Sequence, residues 1–221
     1  MRITVIAATG GIGREILNQA LAAGHEVTAA VRDPGAVPAP VRTVRVDLAR
    51  PDRAALEAAV DGADAVLSGL GARTGSDIGV VVRGTRAVIE AMDATGARRL
   101  VVVSAAPIGT VPSPRRPHPP RHDPGDGPLI RYLAGPLIKT VLRKRYADLA
   151  LMEDALAASG LDWTSVRPPR LTDRPVTGDY RTALDRNVRG GTTVSRADVA
   201  HLMLRVLDRP ETVGHTVGVG N

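Results

Sequence analysis

Five consecutive residues near the start of the chain, Thr9-Gly10-Gly11-Ile12-Gly13, have the composition of a phosphate-binding turn. They follow the apolar, β-branched segment Ile3–Ala7, which predicts a buried strand, and precede Arg14–Ala23, whose apolar residues recur at helical spacing. Glycines let the backbone approach a pyrophosphate, and the helix N-terminus offers unpaired N–H groups. The segment therefore predicts a dinucleotide-binding site; a tight turn that binds nothing is the alternative.

The end of the second predicted strand, Glu26–Arg32, bears on which dinucleotide is bound. A carboxylate at this point accepts a hydrogen bond from the ribose 2′-hydroxyl of NAD, whereas an arginine pairs with the 2′-phosphate of NADP. Arg32 lies about 20 residues after the glycines, where that residue is expected. We therefore predict NADP(H) bound through Arg32, with NAD(H) bound through the adjacent Asp33, or a plain surface role for Arg32, as the alternatives.

No tyrosine in the chain has a lysine four residues later, the spacing that places a lysine beside the phenol on one face of a helix. The residues at that spacing after Tyr132, Tyr146 and Tyr180 are Pro136, Ala150 and Leu184. Without such a lysine, tyrosine is a poor general acid near neutral pH, which disfavours the interconversion of alcohols and ketones. A conjugated acceptor that takes its proton from solvent needs only correct orientation against the cofactor.

Metal-dependent and hydrolytic chemistry have little support. The chain has no cysteine and five histidines, and the pair His118 and His122 lies in a proline-rich stretch where helical spacing has no meaning. Ser104 has no sequence neighbour that suggests a base. We predict no metal site and no hydrolase triad.

Short buried strands alternate with amphipathic helices along most of the chain. The further predicted strands are Val41–Val46, Ala65–Leu67, Leu100–Ser104 and Trp163–Arg167; the further helices are Pro51–Val60, Ile78–Ala94, a long one from Pro136 to Ser159, and Arg196–Leu207, capped by Ser195. This alternation predicts an α/β, Rossmann-type doubly wound parallel sheet. The 221 residues fit a single domain, 1–221.

The segment Pro107–Pro136 breaks this pattern and predicts an irregular, proline-rich insertion or lid. The stretch from Pro107 to Tyr146 holds eight basic and two acidic residues, which equals the whole net charge of +6. It lacks the interleaved aromatic residues that stack bases, so we predict a small-molecule acceptor and no nucleic acid as the partner. A solvated basic insertion is the simpler interpretation of this segment, and a lid that favours an anionic acceptor is the alternative. No apolar run approaches the roughly 20 residues that span a bilayer, so we expect no membrane partner and a cytoplasmic protein.

The motifs together resemble one group of proteins. The segments that carry the resemblance are Ala7–Gly13, Val31–Asp33, Ser159–Thr164, Val166–Pro169, Pro175–Gly178, Ser195–Asp198 and His201–Arg205. They are similar to atypical short-chain dehydrogenases of the NmrA-like, NAD(P)-binding group, and within it most similar to the biliverdin/flavin reductases. The resemblance covers nearly the whole chain except Pro107–Pro136.

The resemblance implies a sheet of about seven parallel strands and a role for each site residue. Thr9 to Gly13 would hold the pyrophosphate and Arg32 the 2′-phosphate. The other implied contacts are Asp47 and Leu48 at the adenine; Gly69, Leu70, Gly71 and Arg73 on the ribose and phosphate side; and Ser104, Ala105, Pro168, Pro169 and Arg170 around the nicotinamide.

Three positions depart from the pattern of these reductases. Ala7 replaces the first glycine of Gly-x-x-Gly-x-x-Gly; its methyl group is tolerable there if the backbone dihedrals are ordinary, and we expect cofactor binding to be retained. Ala105 replaces a serine, which leaves Ser104 as the nearest hydroxyl and the candidate catalytic residue. Arg170 replaces a histidine, so the acceptor side is expected to differ.

The resulting hypothesis is an NADPH-dependent oxidoreductase that transfers hydride to a conjugated, flavin- or tetrapyrrole-like acceptor. One alternative is a non-catalytic, NmrA-like NADP(H) sensor that acts through a protein partner. Another is a reductase of secondary metabolism that acts on a small ketone or enone. Sequence does not indicate the oligomeric state.

Overall fold

The computed structural model describes residues 1–37, 40–72, 77–127 and 142–221, and it contains an eight-stranded central sheet. Its strands are β1 (Arg2–Ile6), β2 (Glu26–Val31), β3 (Arg42–Arg45), β4 (Ala65–Ser68), β5 (Arg99–Val103), β6 (Asp162–Arg167), β8 (Arg181–Leu184) and β10 (His215–Gly220). The spatial order is β3-β2-β1-β4-β5-β6-β10-β8. Seven strands are parallel, and β8 pairs antiparallel with β10 at one edge. This confirms the predicted doubly wound parallel sheet.

Helices cover both faces of the sheet, because successive strand residues point to opposite sides. The helices are α1 (Gly11–Ala22), α2 (Arg53–Val60), α3 (Val80–Thr95), α4 (Arg143–Ala158) and α5 (Arg196–Arg205). In β5, Val101 packs with α1 and α5 in one apolar cluster. Its neighbours Leu100 and Val102 pack with α2, α3 and α4 in the other. Because these strands are apolar on both faces, they contribute to two hydrophobic cores, one on each side of the sheet.

The carboxyl-terminal part of the chain contains strands that the hydrophobic pattern did not predict. Strand β10 carries glycine at two of its six positions, Gly218 and Gly220, which weakens its strand signal. Strands β7 (Arg170–Thr172) and β9 (Thr193–Ser195) form a separate two-stranded parallel sheet. Each has only three residues, too few for a periodicity.

Helix boundaries follow side-chain caps more closely than hydrophobic spacing. Helix α2 begins at Arg53, two residues after the predicted Pro51, because the Asp52 carboxylate accepts a hydrogen bond from Ala55 N at 3.0 Å. The predicted cap of α5 is confirmed, since Ser195 Oγ accepts from Asp198 N at 2.8 Å. Helix α4 begins at Arg143, and the predicted start at Pro136 falls outside the described residues.

Helix α3 begins without a cap of its own and is capped by another helix. Its N-cap residue is Gly79, with φ 87°. The buried carboxylate of Asp148, on α4, accepts from Gly79 N at 2.9 Å and from Val82 N at 3.0 Å. This contact fixes the start of α3 against α4.

Candidate cofactor and acceptor site

The turn after β1 is held by backbone hydrogen bonds. Ala7 N donates to Ala30 O at 2.9 Å, and Gly10 N donates to Ala7 O at 2.8 Å. Ala7 has φ 58°, in the left-handed region that costs an L-residue about 1–2 kcal/mol. The condition of ordinary backbone dihedrals at Ala7 is therefore not met: the residue has a conformation that favours glycine, and the alanine is strained.

Two glycines bring three segments of backbone into contact beside this turn. A Cβ added to Gly13 would lie 2.2 Å from Ala7 O, and one added to Gly69 would lie 2.6 Å from Gly13 N. The end of β4 therefore packs directly on the first turn of α1, which packs on the end of β1. The structure thus places the predicted residues Gly13 and Gly69 together.

The N-terminus of α1 has no side-chain cap and no acidic residue in its first turn. Its first N–H groups, at Gly11, Ile12 and Gly13, are the groups that a pyrophosphate accepts from in this class of turn. The uncapped helix end and the glycines at Gly10, Gly11 and Gly13 fit the phosphates of NAD(P)(H). Thr9 and Gly10 form the turn that leads into this helix end.

Arg32 is exposed just after β2, where the ribose 2′ position is expected. The neighbouring Asp33 caps a short 3-10 turn, and its carboxylate accepts from Gly35 N at 3.1 Å. Asp33 is therefore already engaged by its own turn, while the guanidinium of Arg32 forms no ion pair within the described residues.

The residues predicted at the adenine and on the ribose and phosphate side lie just after strands β3 and β4. Leu48 and Leu70 meet on α3 at Gly84, where an added Cβ would lie 3.1 Å from Leu48 Cβ and 3.0 Å from Leu70 Cδ2. Asp47 is half-buried, and its carboxylate accepts from Ala49 N at 3.1 Å. Gly71 is exposed, and nothing lies within 4 Å of a Cβ built on it. Arg73 lies outside the described residues.

The predicted nicotinamide side joins the ends of β5 and β6. Ser104 N donates to Val166 O at 2.7 Å, and Ala106 N donates to Pro168 O at 2.9 Å. Ser104 is only 7% exposed, and its Oγ is buried without a hydrogen-bond partner among the described residues. A buried, unpaired hydroxyl is costly unless a ligand or water satisfies it.

A cavity of about 740 Å³ opens at this end of the sheet, large enough for a drug-sized molecule. Four of the residues predicted at the nicotinamide line it: Ala105, Pro168, Pro169 and Arg170. Side chains from several separated segments complete the lining, among them Arg121, His122, Asp126, Tyr146, Arg167, Asn187 and Arg196. The dinucleotide turn and this cavity therefore lie next to each other at the carboxyl ends of the strands, as expected for open α/β sheets.

The described part of the basic insertion, residues 107–127, packs over the cavity. The buried carboxylate of Asp123 accepts from Gly125 N and Asn187 N, both at 2.8 Å. Asp126 accepts from Asn187 Nδ2 at 2.9 Å. A Cβ on Gly125 would lie 1.9 Å from Asn187 O, so the two loops touch through their backbones. The rest of the predicted insertion, 128–136, lies outside the described residues.

A buried ion pair supports the cavity wall. Arg167, at the end of β6, binds Glu153 of α4 through both ends of its guanidinium, at 2.9 and 2.5 Å. The two side chains are 6% and 8% exposed. Burial alone lowers the pKa of the Arg167 guanidinium, but the hydrogen bonds and charge of Glu153, with the charge of Asp123, raise it overall. Arg167 is therefore a fixed cation.

Tyr146, in the first turn of α4, presents its side chain to the same cavity. Its hydroxyl takes part in no hydrogen bond that the structure describes, and burial raises the pKa of the phenol. The phenol is therefore protonated at neutral pH and available as a donor. The residue one helical turn later, Ala150, is buried in the position that a lysine would need.

Arg196, the first residue of α5, lies against the dinucleotide turn. A Cβ built on Gly11 would lie 2.8 Å from both Cδ and Nε of Arg196. Its guanidinium pairs with Asp173, with Nη1 2.5 Å from Oδ1. Arg196 lies within the motif Ser195–Asp198, but a sequence motif that also caps a helix does not reveal which distant loop its side chain contacts. Tyr146 and Arg167 were missed for the same reason.

Two further observations concern other kinds of site. Among the residues that the structure describes, no three His, Cys, Asp or Glu side chains cluster closely enough to hold a metal ion. No helix in the described ranges has the length and apolar character needed to cross a membrane.

The sequence and the fold of this chain are similar to those of several known proteins. The uncharacterized protein YwnB of Bacillus subtilis (strain 168) is 27% identical over 224 residues, covering 96% of this chain and 94% of that protein. A Rossmann-fold NAD(P)-binding family protein from Shigella flexneri superimposes with a TM-score of 0.68 at 26% identity, covering 100% of this chain and 93% of the other. The oxidoreductase ylbE from Lactococcus lactis has the same fold, with a TM-score of 0.80 at 19% identity and coverage of 100% and 91%.

The sequence itself matches a family over most of its length. Residues 7–210 fit the sequence profile of a family described as NAD(P)H-binding. The match spans the glycine turn, the cavity-lining segments and the first part of the carboxyl-terminal region, and it agrees with the resemblance to atypical short-chain dehydrogenases. The chain therefore belongs to the NAD(P)H-binding family.

Proposed function

We propose that the protein is an NADPH-dependent reductase of a conjugated, anionic small molecule of flavin or tetrapyrrole type. The observation that carries this proposal is the 740 Å³ cavity beside the dinucleotide turn, whose lining includes four arginines and one aspartate. Arg167 is neutralised by Glu153. Arg170 has no ion-pair partner among the described residues, so a carboxylate or phosphate of the acceptor would supply one.

The preference for NADPH over NADH rests on Arg32. This exposed arginine follows β2, while the adjacent Asp33 is held by Gly35 N. A guanidinium at this position pairs with a 2′-phosphate, which NADH lacks.

The protein's part in the reaction is to bind and orient. When bound, NADPH would supply the hydride. The bare end of α1 and its glycines would hold the phosphates, and Pro168 and Pro169 line the cavity in which the acceptor would lie. The segment 107–127 packs over one part of the cavity. A conjugated acceptor can take its proton from solvent, so this function needs no lysine beside a tyrosine. The catalytic role of Ser104 stays a prediction.

The test follows absorbance at 340 nm with FMN as the acceptor and compares NADPH with NADH in wild type and Arg32→Ala. Loss of a charge-assisted contact weakens binding about tenfold or more, so we expect KM for NADPH to rise by that factor and KM for NADH to stay constant. Arg174→Ala, at another exposed arginine, is the matched control. Equal effects on both coenzymes would contradict the role of Arg32. Tight NADPH binding without turnover of FMN, a quinone or a tetrapyrrole would favour the sensor alternative.

Tyr146 favours a second candidate, the reduction of a small ketone or enone. Its phenol lines the cavity, stays protonated because burial raises its pKa, and could donate a hydrogen bond to an acceptor oxygen. In Tyr146→Phe, we expect kcat for an enone to fall about 100-fold, the lower end of general acid contributions, while kcat for FMN is unchanged. Equal kcat values for the enone in wild type and Tyr146→Phe would contradict the reduction of a ketone or enone with Tyr146 as the donor.

A further inference from the structure

The side chain of Arg196 lies against the positive end of helix α1. Its Cδ and Nε occupy the space directly beside Gly11, where a Cβ would be 2.8 Å away. Helix α1 has neither a capping side chain nor an acidic residue in its first turn. A guanidinium beside a bare helix N-terminus is electrostatically unfavourable, because both carry positive charge. An anion bound between the guanidinium and the helix N-terminus would be attracted by both positive charges.

Asp173 supplies the only counter-charge to Arg196 among the residues that the structure describes, and this ion pair is exposed on the Asp173 side. Its carboxylate pairs with the guanidinium at 2.5 Å, but its side chain is 88% exposed. Exposed ion pairs contribute little free energy, so a better placed anion can displace this one at small cost. Asp173 follows β7 directly, and the backbone of β7 pairs with β9 up to Ser195. The carboxylate is thus held close to the start of α5.

The backbone of Arg196 is fixed, so only its side chain is free to exchange partners. Ser195 caps α5, and its Oγ and the Asp198 carboxylate are 2.8 Å apart. Gln19 of α1 donates through Nε2 to Ala197 O at 2.9 Å, which locks the start of α5 to α1. A rotation of the Arg196 side chain then moves the guanidinium between Asp173 and the helix end.

We propose that Arg196 is a phosphate-binding residue that leaves Asp173 and binds the pyrophosphate of the dinucleotide at the N-terminus of α1. The residue also lines the acceptor cavity beside Pro169 and Arg170. In the bound position it separates the phosphates from the acceptor. This inference rests on the dinucleotide site of the proposed function and adds a side-chain contact to the pyrophosphate part of that site, which is otherwise built from backbone.

Isothermal titration with NADPH and with NADH tests the proposal without requiring turnover. Both coenzymes carry the pyrophosphate, so Arg196→Gln is expected to weaken both by the same factor of about ten or more. Arg32→Ala is expected to weaken NADPH alone. Arg196→Lys keeps the charge without the planar fork and is expected to recover part of the loss. Arg174→Gln removes an exposed arginine next to Asp173 and controls for net charge.

Asp173→Asn removes the competing carboxylate and is expected to tighten both coenzymes a few-fold, but only while Arg196 is present. The double variant should therefore bind like Arg196→Gln alone. Unchanged affinity in Arg196→Gln with an unchanged Tm would overturn the proposal and leave the cofactor assignment standing. An equal loss in Arg174→Gln would also overturn it, in favour of a general charge effect. Failure of the wild-type protein to bind either coenzyme would instead overturn the proposed function.

Discussion

The dinucleotide turn and the acceptor cavity are built in opposite ways. The turn comes from consecutive residues, and its close contacts are backbone against backbone, as at Gly13 and Gly69. The cavity is lined by side chains from several separated segments and is supported by a buried ion pair, Glu153 with Arg167. In the turn, an added Cβ at Gly13 or Gly69 would overlap neighbouring backbone atoms. The cavity depends instead on a buried charge that keeps its ion-pair partner. Substitutions in each region should therefore fail for different reasons.

The largest effect is expected in the cavity region, from Glu153→Gln. The change leaves the Arg167 guanidinium buried without its counter-ion, which costs about 3–5 kcal/mol in the free energy of unfolding. Urea unfolding monitored by circular dichroism measures this loss. Glu57→Gln breaks the exposed pair with Arg53 and serves as the control, for which no measurable change is expected. Similar behaviour of the two variants would mean that buried charge does not brace the cavity.

Gly13→Ala should lower the free energy of unfolding less than Glu153→Gln does, but it should weaken cofactor binding more. The new Cβ meets Ala7 O at 2.2 Å, and the backbone shift that relieves this overlap costs about 2–3 kcal/mol. Because the same shift moves the N–H groups of α1, we expect NADPH binding to fall below detection by calorimetry. At Gly127, nothing lies within 4 Å of an added Cβ, so Gly127→Ala should leave both quantities unchanged.

Asp198, in the first turn of α5, offers a test by pH. Burial opposes its ionisation, but N–H groups of Thr177 and Gly178 and the hydroxyl of Ser195 lower the pKa of this carboxyl overall. A lowered folded-state pKa gives stability above the unfolded value near 3.9, and this stability is lost as pH falls through the folded pKa. We expect Asp198→Asn to cost about 1–2 kcal/mol at pH 7. The gap between variant and wild type should narrow below about pH 4; a gap that widens there would contradict the sign.

The smallest expected change in the free energy of unfolding is a stabilisation, and it comes from a substitution in the dinucleotide turn. Ala7→Gly relieves a left-handed alanine, worth about 1–2 kcal/mol, and adds about 0.5–1 kcal/mol of backbone entropy to the unfolded chain. A net stabilisation of about 0.5–1 kcal/mol should appear as a raised Tm. Ala8→Gly, at a buried neighbour without a positive φ, should lower Tm instead. A lowered Tm in Ala7→Gly would show that the turn is not strained at this position.

The same contrast explains what the sequence could predict. The turn of Thr9 to Gly13 and the alternation of strands and helices are local patterns, so both indicated the dinucleotide-binding fold. The contacts of Arg196 and Tyr146 depend on how α4 and α5 pack against other elements, which no local spacing encodes. Within the turn, the sequence showed that Ala7 replaces a glycine of the pattern, but it could not show the backbone conformation of Ala7. Its φ of 58° follows from the hydrogen bonds of the folded chain.

The two outer strands of the sheet have a consequence for the protein's behaviour at high concentration. Strand β3 begins and ends with the exposed residues Arg42 and Arg45, and β8 begins with the exposed Arg181. Each strand has only four residues. An incoming strand from another molecule would have to desolvate these charges for a short run of hydrogen bonds, which disfavours edge-to-edge aggregation.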